Sequence, residues 1–290
     1  MLKLPQKLGW IRQENIRPYV FVRKENRIAA PGRRHVLDWF KGIDPIYKDP
    51  LRVDEVEFAN NILVLEGQAF DESVAMERWV FYDCAILPVF VTGFAARTSS
   101  LSDSVKKVLK TNDSLEWTPL SLFIIIPTMT ENEWVAHNLC SVNSLLPKEE
   151  RLWGLGFVSK AFGLWYANIE TCIGITQWTN PAVKLHSHYG HFKILTAYTP
   201  VHTYDRTLTY RLDVDTSLWP GFLGEKVNNT FKKNFESAGF MVERENVDSL
   251  KRFQAKIEAG EGEFYLDAEE ILAKGVKEPL SVFKKRKSGS

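Results

Sequence analysis

The residues best placed to do chemistry are Arg151-Leu152-Trp153-Gly154-Leu155-Gly156, which stand directly before an apolar run with helical character, Phe157 to Asn168. Two glycines let a backbone approach a ligand closely, and the first-turn N–H groups of a helix point outward with the positive end of its dipole. An anion, and a pyrophosphate in particular, suits such a junction, with Arg151 adding charge. A glycine pair that permits tight strand–helix packing is the alternative. Two other phosphate motifs are excluded, because the chain has no GxxxxGK[ST] and its loop is RxxGxG rather than GxGxxG.

The elements that must hold this loop are legible in outline. Residues 53–76 carry apolar side chains at helical spacing (Val56, Phe58, Ala59, Ile62, Leu63, Leu65, Phe70) and predict an amphipathic helix followed by a second short one. Trp79–Cys84 and Val89–Ala96 read as two strands around a turn at Ala85–Leu87. Ser102–Lys110 reads as a short helix, with Asp103 early and three lysines late. Leu120–Pro127 is an apolar run of buried-strand type, and Glu133–Leu146 is a further strand. After the loop come a strand (Glu170–Gln177), a short helix (Asn180–Tyr189) and a hairpin (Phe192–Thr199 with Thr207–Val214). Beyond Pro220-Gly221, charged helices are expected over Leu223–Ser237, Val247–Glu258 and Asp267–Lys274, each stopped by a glycine.

The loop and the segment Asn180-Pro181-Ala182-Val183-Lys184-Leu185-His186-Ser187-His188-Tyr189-Gly190-His191-Phe192 together resemble the GCN5-related N-acetyltransferase family over roughly residues 53–214. In that family an R/Q-x-x-G-x-G/A loop binds the pyrophosphate of acyl-CoA. An Asn then opens a short helix of the form N-x-x-A-x-x-L-Y-x-x-x-G-F. Gly156 and Asn180 stand at the expected separation, Ala182 and Leu185 keep the three-residue interval, and Gly190 closes the helix. The Asn-to-Ala interval is one residue short, His186 occupies the usual Tyr position, and Gly190-His191-Phe192 replaces Gly-Phe. The resemblance implies an α/β (α+β) fold with a mixed, mostly antiparallel central sheet flanked by helices. It implies acetyl-CoA or another acyl-CoA as cofactor. Leu145, Leu146, Arg151, Leu152, Trp153, Gly154, Leu155, Gly156 and Asn180 would bind it.

Acyl transfer from a thioester to an amine requires deprotonation of the amine, a donor for the thioester oxygen and a proton for the leaving thiolate. The resemblance assigns the donor to a backbone N–H near Leu145. It assigns the proton to His186, with Tyr189 one turn away as the substitute. For the base, Glu133 opens the preceding strand, and His137 and Cys140 lie along it. Cys140 has no identifiable triad partner and reads as a buried thiol. Glu66, Asp71 and Glu72 lie where the first helices of the family border the acceptor site and could attract an ammonium; a solvated helix end is the role expected of them. His202, Tyr204 and Asp205 lie at the tip of the late hairpin.

The organisation expected is a basic N-terminal extension (1–52), an acyltransferase domain (53–218), a helical C-terminal extension (219–283) and a basic tail (284–290). The chain has 37 basic and 36 acidic residues, so it is not a globally basic nucleic-acid binder. Its first fifty residues, with 11 Lys/Arg against 5 Asp/Glu, carry an excess that centres on Arg23-Lys24 and Arg33-Arg34 beside the Pro31-Gly32 turn. That excess leaves open a nucleobase- or tRNA-modifying member of the fold; a non-catalytic CoA-binding module is the other alternative to an enzyme acting on a small amine. Cys84, Cys140 and Cys172 show no metal spacing, so no metal is expected. The uncharged, apolar stretch Cys84–Ala96 is 13 residues, too short for a membrane helix. With no signal-like N-terminal run, a cytoplasmic location is expected.

Overall fold

A computed structural model describes residues 4–29, 39–70, 75–86, 90–200, 204, 206–227 and 230–286. The chain divides into two units, Met1–Ile169 and Glu170–Ser290, each of mixed α/β type with helices against a mostly antiparallel sheet.

In the first unit, β1 (Ile16–Phe21) pairs in parallel with β2 (Ile46–Lys48). The chain continues through α1 (Val56–Ala69), α2 (Arg78–Ile86), β3 (Phe90–Arg97), α3 (Asp103–Leu109), β4 (Trp117–Pro119), β5 (Ser121–Pro127), β6 (Glu133–Ser141) and α4 (Leu155–Tyr166). Antiparallel pairings join β1 to β3, β3 to β4 and β5, and β5 to β6. Leu122, Phe123, Ile124 and Ile125 are all fully buried. Because successive side chains alternate across a strand, both faces of β5 are covered. Helix α4 packs on β3, β5 and β6, and α1 on β4, β5 and β6. The approach of α4 is close: a Cβ on Gly163 would lie 2.5 Å from Phe123 Cδ1 and 2.7 Å from Thr92 Oγ1. The buried Ser159 hydroxyl meets that of Ser121, 2.6 Å away, and fixes the helix along β5.

The helices begin and end as their sequences direct. Ser102 caps α3 by accepting from Val105 N, and Lys110 closes it in the left-handed region at φ 50°. Strand β5 and helix α4 follow the expected segments closely. Residues Trp79–Cys84, expected as a strand, instead lie in α2. The β-forming aromatics suggest extension, but Phe81 N donates to Glu77 O (3.1 Å) and the Phe81 ring stacks on Phe21 at 5.5 Å. Packing onto β1 decides the conformation over local propensity. Strand β6 is also shorter than expected, ending at Ser141 and passing into a 3-10 turn over Val142–Ser144.

In the second unit, β7 (Thr171–Gln177) leads to α5 (Ala182–Ser187), β8 (Phe192–Thr196), β9 (Thr207–Asp213), α6 (Trp219–Phe222), α7 (Phe231–Asn234), β10 (Phe235–Val242), α8 (Val247–Glu258), β11 (Phe264–Leu266), α9 (Ala268–Ala273) and β12 (Leu280–Lys285). The antiparallel order is β7-β9-β8-β11-β12-β10. The expected hairpin is β8–β9, and α8 and α9 fall where expected. The helix expected over Leu223–Ser237 does not form. A single turn, α7, gives way to β10, whose register shifts between Ser237 and Met241 around Gly239 at φ 82°. Residues 235–285 thus contribute three strands rather than only helices. An edge strand with one solvated side carries charged residues such as Glu236 without an apolar alternation, so its sequence resembles a surface helix.

Candidate functional site

Helix α4 starts at Leu155, with Gly154 at the preceding position in the left-handed conformation, φ 75°. A side chain with a Cβ is strained there, which accounts for the glycine. The Gly154 and Gly156 N–H groups have no acceptor among the described residues, while Leu155 N bonds to Leu152 O at 3.2 Å and Val158 N to Gly154 O at 2.9 Å. Two outward amides therefore stand at the N-terminus of a helix of 12 residues, the positive end of its dipole.

Three contacts hold this loop. Asn143 brackets Leu152: its Nδ2 donates to Leu152 O (2.6 Å) and its Oδ1 accepts from Leu152 N (3.1 Å). Trp10 Nε1 donates to Trp153 O at 3.0 Å. Arg151 Nε donates to Leu146 O at 2.7 Å, so this guanidinium braces the loop with one nitrogen while its residue remains exposed. Asn143, in the turn after β6, is a residue that sequence spacing alone did not single out. The Leu145 amide, expected to be free for a thioester oxygen, instead closes that turn by donating to Val142 O at 2.9 Å.

A second cluster lies between α1 and β6. Glu66 is 2% exposed. Its two carboxylate oxygens both accept from Met76 N at 3.0 Å, and Oε1 also accepts from Asn138 Nδ2 at 2.8 Å. Burial raises its pKa above the ordinary carboxylate range, and the two donors only partly offset this. Glu66 is therefore not the solvated helix end expected; it fastens the chain after α1 to β6. Burial, and then the charge of Glu66, push the Cys140 thiol well up, leaving it neutral and a poor nucleophile. His137 is exposed on β6, and Glu133 is buried at that strand's start. Asp71, Glu72, Arg33-Arg34, Pro31-Gly32, His202, Asp205 and the last four residues lie outside the described residues.

In the second unit, Asn180 Oδ1 accepts from Ala182 N at 2.8 Å and opens α5. His186, on α5, is 8% exposed, with its ring 5.8 Å from that of Tyr210. Tyr189 is fully buried and meets Trp219 edge to face at 5.4 Å. Asn180, His186 and Tyr189 thus share one short helix and its flanks. Among the described residues no group of three or more His, Cys, Asp and Glu side chains could hold a metal ion, and no helix is long and apolar enough to cross a membrane.

No family model matches the chain, and no curated protein does. Among solved structures, the chain is similar to one in the NatC complex bound to Gag peptide and CoA. The match has 12% identity, covers 57% of this chain and 96% of that one, and has a TM-score of 0.40. It is also similar to the ribosomal-protein-S18-alanine N-acetyltransferase from Escherichia coli, at 12% identity over 57% of this chain and 91% of that one, with a TM-score of 0.37.

Proposed function

We propose that the chain is an acyl-CoA-dependent N-acyltransferase that transfers the acyl group, acetyl in the simplest case, directly to an amine. The observation that carries this reading is the pair of amides, Gly154 N–H and Gly156 N–H, that have no acceptor among the described residues at the start of α4. They lie within the RxxGxG pattern and stand at the family spacing from Asn180. A diphosphate matches this donor set, and the free edge of the Arg151 guanidinium supplies charge. Leu146, Leu152, Trp153 and Leu155 complete the cradle. When bound, acyl-CoA supplies an activated thioester. His137, exposed on β6, is assigned to take the amine's proton. On this reading a small-molecule amine is the acceptor.

The test is a thermal-shift titration with CoA and acetyl-CoA on the wild type and on a Gly154→Asp/Gly156→Asp variant. Aspartate tolerates the left-handed conformation better than most residues, so the variant mainly places negative charge where the diphosphate would sit. At about 100 times the dissociation constant, ligand stabilises the wild type by about 2.7 kcal/mol, and the variant loses that shift. Absence of a wild-type shift at millimolar CoA refutes the assignment. His137→Ala should then lower kcat without abolishing the shift.

A further inference from the structure

The first unit contains a cavity of about 390 Å³ that borders the Arg151–Gly156 loop, with Asn143, Leu146 and Leu152 in its lining. Its wall is aliphatic and buried, with Ile16, Val105, Leu120 and Val142 among its members, and Gln13, Asn15 and Glu150 stand at its more exposed rim. A volume of this size, an apolar interior and a few polar groups at the mouth are the anatomy of a small-molecule site.

The charge of the lining selects the ligand. Among the described residues that line the cavity there is no Lys, Arg or His, and Glu150 is the single ionisable one. The Glu150 carboxylate accepts from Ser102 Oγ at 2.9 Å and from Ser104 Oγ. These two hydroxyls hold its pKa below the ordinary range, so it is anionic at neutral pH. It forms no ion pair with any described Lys or Arg. The Gln13 and Asn15 carboxamides likewise have no side-chain hydrogen-bond partner among the described residues. An anion at the Glu150 end of the cavity would meet a like charge and no cation among the lining residues described. We infer that the cavity bounded by Glu150, Gln13, Asn15 and the Ile16–Leu120–Val142 wall is a binding site for an organic ammonium with an apolar body. The site shares Leu146 and Leu152 with the proposed CoA cradle, but binding of an amine in the absence of CoA does not require the acyltransferase reading.

Phenylbutylamine, phenylbutanol and phenylbutyrate are suitable probes, alike in shape and differing in charge, and are titrated calorimetrically without CoA. The full chain is compared with Glu150→Gln, which keeps an acceptor for both serines, and Leu101→Trp, which fills the cavity from its half-buried lining. The amine is expected to bind about fivefold more tightly than the alcohol, with the carboxylate weakest. The advantage of the amine should shrink as salt is raised. Glu150→Gln should make amine and alcohol equal, and Leu101→Trp should abolish binding of both while the melting temperature stays near wild type. Equal affinities for amine and carboxylate overturn the inference, as does an amine preference that survives Glu150→Gln or binding that survives Leu101→Trp. The CoA shift is a separate readout, so loss of either result leaves the other interpretable.

Discussion

Asn143 offers the sharpest test of how the loop is held. Its side chain makes two hydrogen bonds to one residue, Nδ2 to Leu152 O at 2.6 Å and Leu152 N to Oδ1 at 3.1 Å. Each contributes about 1 kcal/mol net, and because both residues are half-buried, water replaces the lost partners only in part. Asn143→Ala is therefore expected to lower the stability of the first unit by about 2 kcal/mol, or about 4–8 °C in Tm for a unit of this size. Asn143→Asp keeps the acceptor for Leu152 N but turns a carboxylate oxygen toward the Leu152 carbonyl. At neutral pH it should be worse than alanine, and it should recover as the pH falls and the introduced acid gains a proton to donate. Urea denaturation with a constant m-value measures both variants. CoA affinity, read by thermal shift, should weaken about tenfold in the alanine variant, because the cradle is no longer preorganised. An alanine variant within about 0.5 kcal/mol of wild type, with CoA affinity unchanged, would refute the view that this bracket shapes the loop.

Other positions give independent readings. Gly163→Ala places a Cβ against Phe123 and Thr92 and is expected to destabilise by about 1–3 kcal/mol in urea titrations. Glu66 has a raised folded-state pKa, so its contribution to stability is fully present below the ordinary carboxylate pKa and is lost as pH rises through the folded value. Glu66→Gln retains acceptors for Met76 N and Asn138 Nδ2, and its stability should gain on wild type between pH 4.5 and 8; a constant difference across that range would contradict the assignment. His188 is depressed from 6.5 to about 4 by burial. Its stabilisation is present above 6.5 and fades as pH falls toward 4, a loss of up to about 3 kcal/mol in the second unit. Denaturant midpoints across that range should show the decline in wild type and a flatter profile in His188→Phe.

Much of the first unit was legible because its signals are local. The run Leu122–Ile125 is apolar at every position, as a strand covered on both faces requires. Asp103 early in α3, the lysines late in it and the apolar face of α1 each act within a few residues. The departures involve partners distant in sequence. Phe81 belongs to a helix because it stacks on Phe21, across a separation that no local periodicity reveals. Strand β10 has a partner, β12, some forty residues later, and its exposed side relaxes the pattern that would have announced it. Glu66 looked like a solvated helix end until Met76 N and Asn138 closed over it.

For the site, sequence alone determined the glycines, because a left-handed turn before α4 admits little else and the requirement is written in a single residue. It also determined the order and separation of the Arg151–Gly156 loop and the Asn180 helix. The tertiary structure decided which amides remain available. Leu145 N closes a turn, Gly154 N and Gly156 N do not, and Asn143 sets the loop's shape. It likewise gave Glu150 two serine partners and, among the described residues, no cation. Hydrogen bonds and charge pairing depend on distance in space, and only the folded chain sets those distances.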